Sequence, residues 1–217
     1  MKKLAACAAL LLLGSLLAAQ ASFYELVAAG TSKQVLAAIM AGATAKQKDR
    51  LGVTPLMAAA AGSQDPEVVS VLLAAGAQVG DEDSISDTPL MYAARSNTNP
   101  KILGALLEAG ARVEDRDFFG TTALMMAAQH NTNEEVPRAL LAAGAAVNAT
   151  DEAGMTPLML AAEFNANPGV LRLLLDAGAD PGLRNRGGKT ALDLAAGNEN
   201  VKDSAAYRAL QQATRRP

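Results

Sequence analysis

The side chains that could do chemistry in this 217-residue sequence are few: one histidine, one cysteine, a Gly-Gly-Lys-Thr run and a ladder of aspartates. His130 could serve as a general base only beside a nucleophile or an acid, and a lone histidine is far more often a solvated residue or a partner contact. Gly187-Gly188-Lys189-Thr190 ends like a phosphate-cradling loop, but that loop needs a glycine at 183, where Leu183 stands, so nucleotide binding is not expected. Asp49, Asp83, Asp117 and Asp151 have the chemistry for calcium. Each stands 34 residues from the next, however, and hydrogen bonding inside a turn accounts for them more simply. Asn148-Ala149-Thr150 is a glycosylation sequon, of consequence only in a eukaryotic secretory pathway. Met57, Met91, Met125 and Met159 share one repeated position; packing among small residues explains them, with a sacrificial oxidant sink as the alternative. No catalytic, cofactor-binding or metal-binding set emerges, so a non-enzymatic protein without a cofactor is expected, and a hydrolase using His130 as base is the competing class.

The composition says what must position such residues. Half of the chain is hydrophobic (50%), yet only 3% is aromatic, tryptophan is missing and 48 residues are alanine. Small side chains suit closely stacked helices better than one thick core. A charged fraction of 19% beside so much apolar material excludes disorder, and a net charge of −3 argues against nucleic-acid binding.

Part of the apolar content sits at the start. Lys2 and Lys3, the apolar run Leu4 to Leu17 and the Ala19-Gln20-Ala21 site have the order of a secretory signal peptide over residues 1–21. A retained membrane helix is the alternative, disfavoured because Gly14 and Ser15 interrupt a short run. Leu4-Ala5-Ala6-Cys7 spells a lipobox, but cleavage there would leave too short an apolar stretch upstream. Removing residues 1–21 also removes Cys7, leaving a cysteine-free chain indifferent to an oxidising compartment. Export to the periplasm is therefore expected, with no membrane insertion of the mature chain and secretion as the alternative.

The remainder is periodic. Thr-Pro-Leu or Thr-Ala-Leu begins at Thr54, Thr88, Thr122, Thr156 and Thr190, and Ala-Gly-Ala is centred on Gly42, Gly76, Gly110, Gly144 and Gly178, both at intervals of 34. The aspartate ladder ends at Asn185 and is followed three residues later by Gly52, Ser86, Gly120, Gly154 and Gly188. The threonine predicts the N-cap of a short helix A, with proline at its first position. Asp65-Pro66, Asn99-Pro100 and Asn167-Pro168 repeat the device for a helix B that carries the leucine pairs Leu72-Leu73 and Leu106-Leu107 and stops at the glycine. Pro137 departs from this register, predicting that its helix B starts late or bends. Helices this short must bury their faces against neighbouring pairs, which makes the fold a solenoid.

Asp-x-x-Gly-x-Thr-Pro-Leu-x-x-Ala-Ala followed by Leu-Leu-x-x-Gly-Ala resembles the ankyrin repeat over nearly all of residues 22–217, in a 34-residue form similar to that of exported bacterial proteins. The resemblance implies an all-α solenoid of about six helix pairs joined by β-turn fingers. Its parts would be an N-terminal cap (22–46), repeats at 47–80, 81–114, 115–148 and 149–182, and a C-terminal cap (183–217). It further implies binding of another protein, by a monomer, through finger tips and the concave face of the A helices. Positions that the repeat leaves open there hold Tyr92, Arg95, Phe118, Phe119, Met126, Gln129, His130, Met155, Leu160, Glu163 and Phe164. Aromatics, methionine and arginine are the types enriched at interface centres. Packing within the scaffold is the alternative for Leu160 and Phe119. Exported proteins of this kind suggest an inhibitor or immunity partner of a toxic enzyme, an accessory factor in oxidative-stress defence, or a secreted effector acting on host proteins.

Overall fold

Local chemistry decides where each helix begins. The computed structural model describes residues 23–215, so the expected signal peptide at 1–21 lies outside the described residues. Thr54, Thr88, Thr122 and Thr156 hold extended backbone, and each hydroxyl accepts a hydrogen bond from the N–H three residues on. At the first three the bond is returned: the threonine N–H donates to the Sδ of Met57, Met91 or Met125 at 3.3, 3.5 and 3.5 Å. The thioether thus occupies the place that Glu or Gln holds in a capping box. All four methionines of the ladder are buried between stacked helices. Their sulfurs are therefore shielded from solvent, which agrees with packing for all four and adds capping at the first three.

From these caps run α3 (Pro55–Gly62), α5 (Pro89–Ser96), α7 (Ala123–His130), α9 (Pro157–Phe164) and α11 (Ala191–Ala195), the A helices. The B helices are α4 (Pro66–Ala74), α6 (Pro100–Glu108), α8 (Glu135–Ala142), α10 (Pro168–Asp176) and α12 (Ala205–Ala213). A first pair, α1 (23–29) and α2 (Ser32–Met40), precedes them, so the described residues form six pairs. Each B helix from α4 to α10 ends in a glycine at positive φ; at Gly76 (φ +94°) its N–H donates to Leu73 O and the next N–H to Leu72 O, closing a Schellman motif.

Pro137 delays α8 by one residue relative to the register of Pro66, Pro100 and Pro168. The disturbance is small because Val136 N–H already bonds Asn133 O, the carbonyl that Pro137 leaves without a donor at i+4. Asn133 Oδ1 still accepts from Glu135 N–H, so the side-chain cap keeps its register.

The pairs stack A on A (α3, α5, α7, α9, α11 in order) and B on B along α2, α4, α6 and α8, with α10 against α12. Paired alanines, among them Ala59-Ala60, Ala93-Ala94, Ala127-Ala128 and Ala161-Ala162, are fully buried where the A helices approach. Of each leucine pair one member, Leu72 or Leu106, is fully buried, whereas Leu73 and Leu107 are half-buried against the same core.

Two side-chain ladders lock successive repeats. Asn131 Nδ2 donates to Ala94 O and Asn97 O of the preceding repeat, while its Oδ1 accepts from Asn133 N–H; Asn97, Asn165 and Asn198 repeat the arrangement. Every polar atom of these buried amides facing the turn is thereby paired. A second ladder runs from the Nδ2 of Asn99, Asn133 and Asn167 to Gln64, Thr98 and Thr132 carbonyls.

Candidate partner-binding face

The fingers owe their shape to the aspartate ladder. In each, Asp49, Asp83, Asp117 or Asp151 accepts at Oδ1 from the N–H groups two and four residues on, and the residue at +3 takes a left-handed conformation: Gly52, Ser86, Gly120 and Gly154. These oxygens are occupied by backbone donors, which is why the ladder has turn chemistry and not the geometry of a calcium loop. Among the described residues no group of three or more His, Cys, Asp or Glu is placed to hold a metal ion. Gly188, the last finger glycine, belongs to the same turn (φ +75°), so the Gly-Gly-Lys-Thr run is repeat structure. Adjacent fingers are stitched by single backbone bonds: Ser84 N–H to Leu51 O, Phe118 N–H to Ile85 O, Glu152 N–H to Phe119 O and Arg186 N–H to Ala153 O. Among the described residues no strand forms, so the fingers are turns.

That rigid ridge holds apolar side chains in solvent. Phe118 is 71% exposed, and Phe119, Leu51, Ile85 and, at the end of α9, Phe164 are exposed as well. The two phenylalanines meet edge to face with centroids 5.4 Å apart and planes at 89°. The packing role weighed for Phe119 therefore does not hold: its ring lies largely in water.

Three of the expected contact residues do not face a partner. Met126, Leu160 and Met155 are buried, because the neighbouring repeat covers them. Met126 Sδ instead accepts from Arg95 Nη2 at 3.1 Å, and Met155 Sδ from Asn185 Nδ2 at 3.2 Å. Tyr92 is half-buried and committed to the scaffold: its hydroxyl donates to Asp83 Oδ2 at 2.9 Å, and burial, then Asp83, pushes its pKa upward. Arg95 lies 5.8 Å from the Tyr92 ring centroid, within cation–π range.

The residue that sequence reasoning missed is Asp87. Its Oδ2 accepts from Arg95 Nη2 at 2.6 Å, its side chain is 1% exposed, and its Oδ1 is buried without a hydrogen-bond partner. Burial pushes the carboxyl up and Arg95 opposes the shift. The signal was present in the sequence: the other repeats hold Val53, Thr121, Met155 and Lys189 at this position, so a carboxylate breaks the pattern. The remaining candidates lie along the same face. Gln129 and Glu163 are half-buried, one and two repeats on from Arg95, and His130 is exposed. Desolvation and then Arg95 lower the His130 pKa, favouring the neutral ring. Among the described residues no hydrogen bond joins the His130 side chain to another group; what the face presents is exposed aromatic side chains and one braced guanidinium.

Among the described residues no helix is long and apolar enough to cross a membrane. A search of curated proteins finds no match. A family model described as ankyrin repeats (3 copies) matches residues 23–117, 97–185 and 124–207. Those ranges together span residues 23–207, and the chain belongs to the ankyrin-repeat family.

Proposed function

We propose that this chain is a non-enzymatic binding module that engages one partner protein through the fingers and concave face of its middle repeats. Ankyrin repeats are protein–protein interaction modules. The observation that carries the reading for this chain is its exposed aromatics: of its four phenylalanines, Phe23 is in the core, whereas the Phe118–Phe119 pair on a finger and Phe164 at the end of α9 are in solvent. Exposed aromatics on a preorganised surface lose little entropy on binding and gain large apolar burial. A standard interface needs about 800 Å² from this side, which three middle repeats can supply.

Export to the periplasm belongs to the same proposal and rests on the order of basic, apolar and small residues in 1–21. The biological role divides into inhibition of a toxic enzyme, support of oxidative-stress defence and action on host proteins; the identity and location of the bound protein separate them. The test is crosslinked capture from the native envelope fraction by the wild type and by the triple variant Phe118→Ala, Phe119→Ala, Phe164→Ala. A species bound by the wild type and lost from the variant, with an unchanged thermal transition, supports the face. A species retained by the variant overturns it.

A further inference from the structure

We propose that ionised Asp87 masks Arg95, and that protonation of Asp87 releases the guanidinium charge into the concave face, which then accepts an acidic side chain of the partner. The inference rests on the binding face proposed above and adds what that face recognises and when. Its basis is geometric. Arg95 is braced on three sides, by Asp87 at 2.6 Å, by Met126 Sδ at 3.1 Å from the next repeat and by the Tyr92 ring at 5.8 Å. Tyr92 is itself anchored on Asp83. Losing the charge of Asp87 leaves the other two braces in place, so the guanidinium keeps its position while its neutralising partner disappears. Only Nη2 is engaged in these bonds, and the Arg95 side chain is 31% exposed, so the group remains reachable from the groove.

Asp87 is suited to give up its charge. It has one hydrogen bond and one buried oxygen with none, whereas Asp83 receives two backbone donors and the Tyr92 hydroxyl, and Asp117 two backbone donors. The groups bearing on it are Arg95 from α5, which favours the carboxylate, and Asp83 and Asp117 from its own and the next finger, which disfavour it. His130, at the end of α7, feels Arg95 and gains its own charge on acidification, which reinforces the change in sign. With Asp87 ionised and His130 neutral the set Arg95, Asp87 and His130 carries no net charge; with both Asp87 and His130 protonated it is cationic.

The probe is naphthalene-1,5-disulfonate, whose charge is constant across the range and whose ring matches an aromatic-lined face. Binding is measured with the chain in the His130→Gln background, so that His130 does not contribute. Affinity is expected to rise about tenfold from a pH at which the Asp87 carboxyl is ionised to a lower pH at which it is protonated, both fixed by its NMR signal, the scale of one charge-assisted hydrogen bond. Asp87→Asn should bind at the tighter level at both pH values, and Arg95→Gln at the weaker level at both. In parallel, a carbon-detected NMR titration of the wild type follows the Asp87 carboxyl and Arg95 Nε, which should move with one midpoint. Unequal midpoints, or an Asp87→Asn variant that keeps the wild-type pH dependence, overturn the proposal. The NMR titration needs neither variant folding nor a partner, so its failure is distinct from failure of the binding face.

Discussion

Replacing Asn131 by alanine tests how the repeats are held together. The Asn131 amide is buried, donates to Ala94 O at 3.0 Å and Asn97 O at 2.8 Å, and accepts from Asn133 N–H at 3.0 Å. Truncation removes all three bonds at once and leaves two carbonyls of the preceding repeat and one turn N–H without their partner. A net hydrogen bond contributes about 1 kcal/mol, and a group left buried and unpaired raises the loss toward 1–3 kcal/mol. Three such groups, partly rehydrated, give an expected loss of about 3–5 kcal/mol. Urea unfolding should show a lower midpoint with the slope retained, and at about 2–4 °C per kcal/mol for a chain of this size the thermal midpoint should fall by roughly 6–20 °C. Pairing it with Asn165→Ala should give a loss that is not the sum of the singles, because the Asn131 side chain holds the turn whose backbone carbonyl, that of Asn131 itself, accepts from Asn165 Nδ2. A loss below about 1 kcal/mol would refute the reasoning, since water would then be replacing the ladder at no net penalty.

Three further outcomes are expected. Ser86 holds φ +64° where the equivalent residues are Gly52, Gly120 and Gly154, so Ser86→Gly should stabilise the chain by about 1 kcal/mol in thermal unfolding; a loss of stability would show that no strain resides there. Under dilute peroxide, peptide mapping should find Met40 (81% exposed) oxidised before Met57, Met91, Met125 and Met159, which are protected while the fold persists. Equal rates at Met40 and Met125 would contradict the burial. Because the folded-state pKa of Asp87 is raised above its ordinary value of 3.8, the folded state favours the neutral acid. Its penalty on stability is full above the raised value and disappears as pH falls through it towards 3.8, so the stability difference between the wild type and Asp87→Asn should move in favour of the wild type as pH falls from neutral towards 3.8.

Much of the architecture was legible without coordinates because it is local. A threonine hydroxyl reaches its own helix within three residues, a proline presets the first helical φ, and a glycine closes the helix it follows; each effect recurs at 34-residue intervals and announces itself as period. The Asp-x-x-Gly fingers belong to the same class, since their bonds span two to four residues. The Asn97, Asn131 and Asn165 ladder shares the period, but its bonds run to the preceding repeat, so its role depended on knowing which carbonyls stack beneath it.

The candidate face divides along the same line. Types and spacing alone placed Phe118, Phe119 and Phe164 where the repeat needs no side chain, and the structure leaves all three in solvent. They could not separate these from Met126, Leu160 and Met155, because burial is set by how closely the next repeat packs over a position that is identical in register. Nor could they reveal that Asp87 and Arg95, eight residues apart, meet as an ion pair with a buried carboxylate, braced by the following repeat. The sequence by itself determined the repeat, its caps and its turns, since those depend on bonds within one unit. Only the stacking of units decided which side chains reach solvent and which charges are shielded, because burial and desolvation belong to neighbours brought together in space.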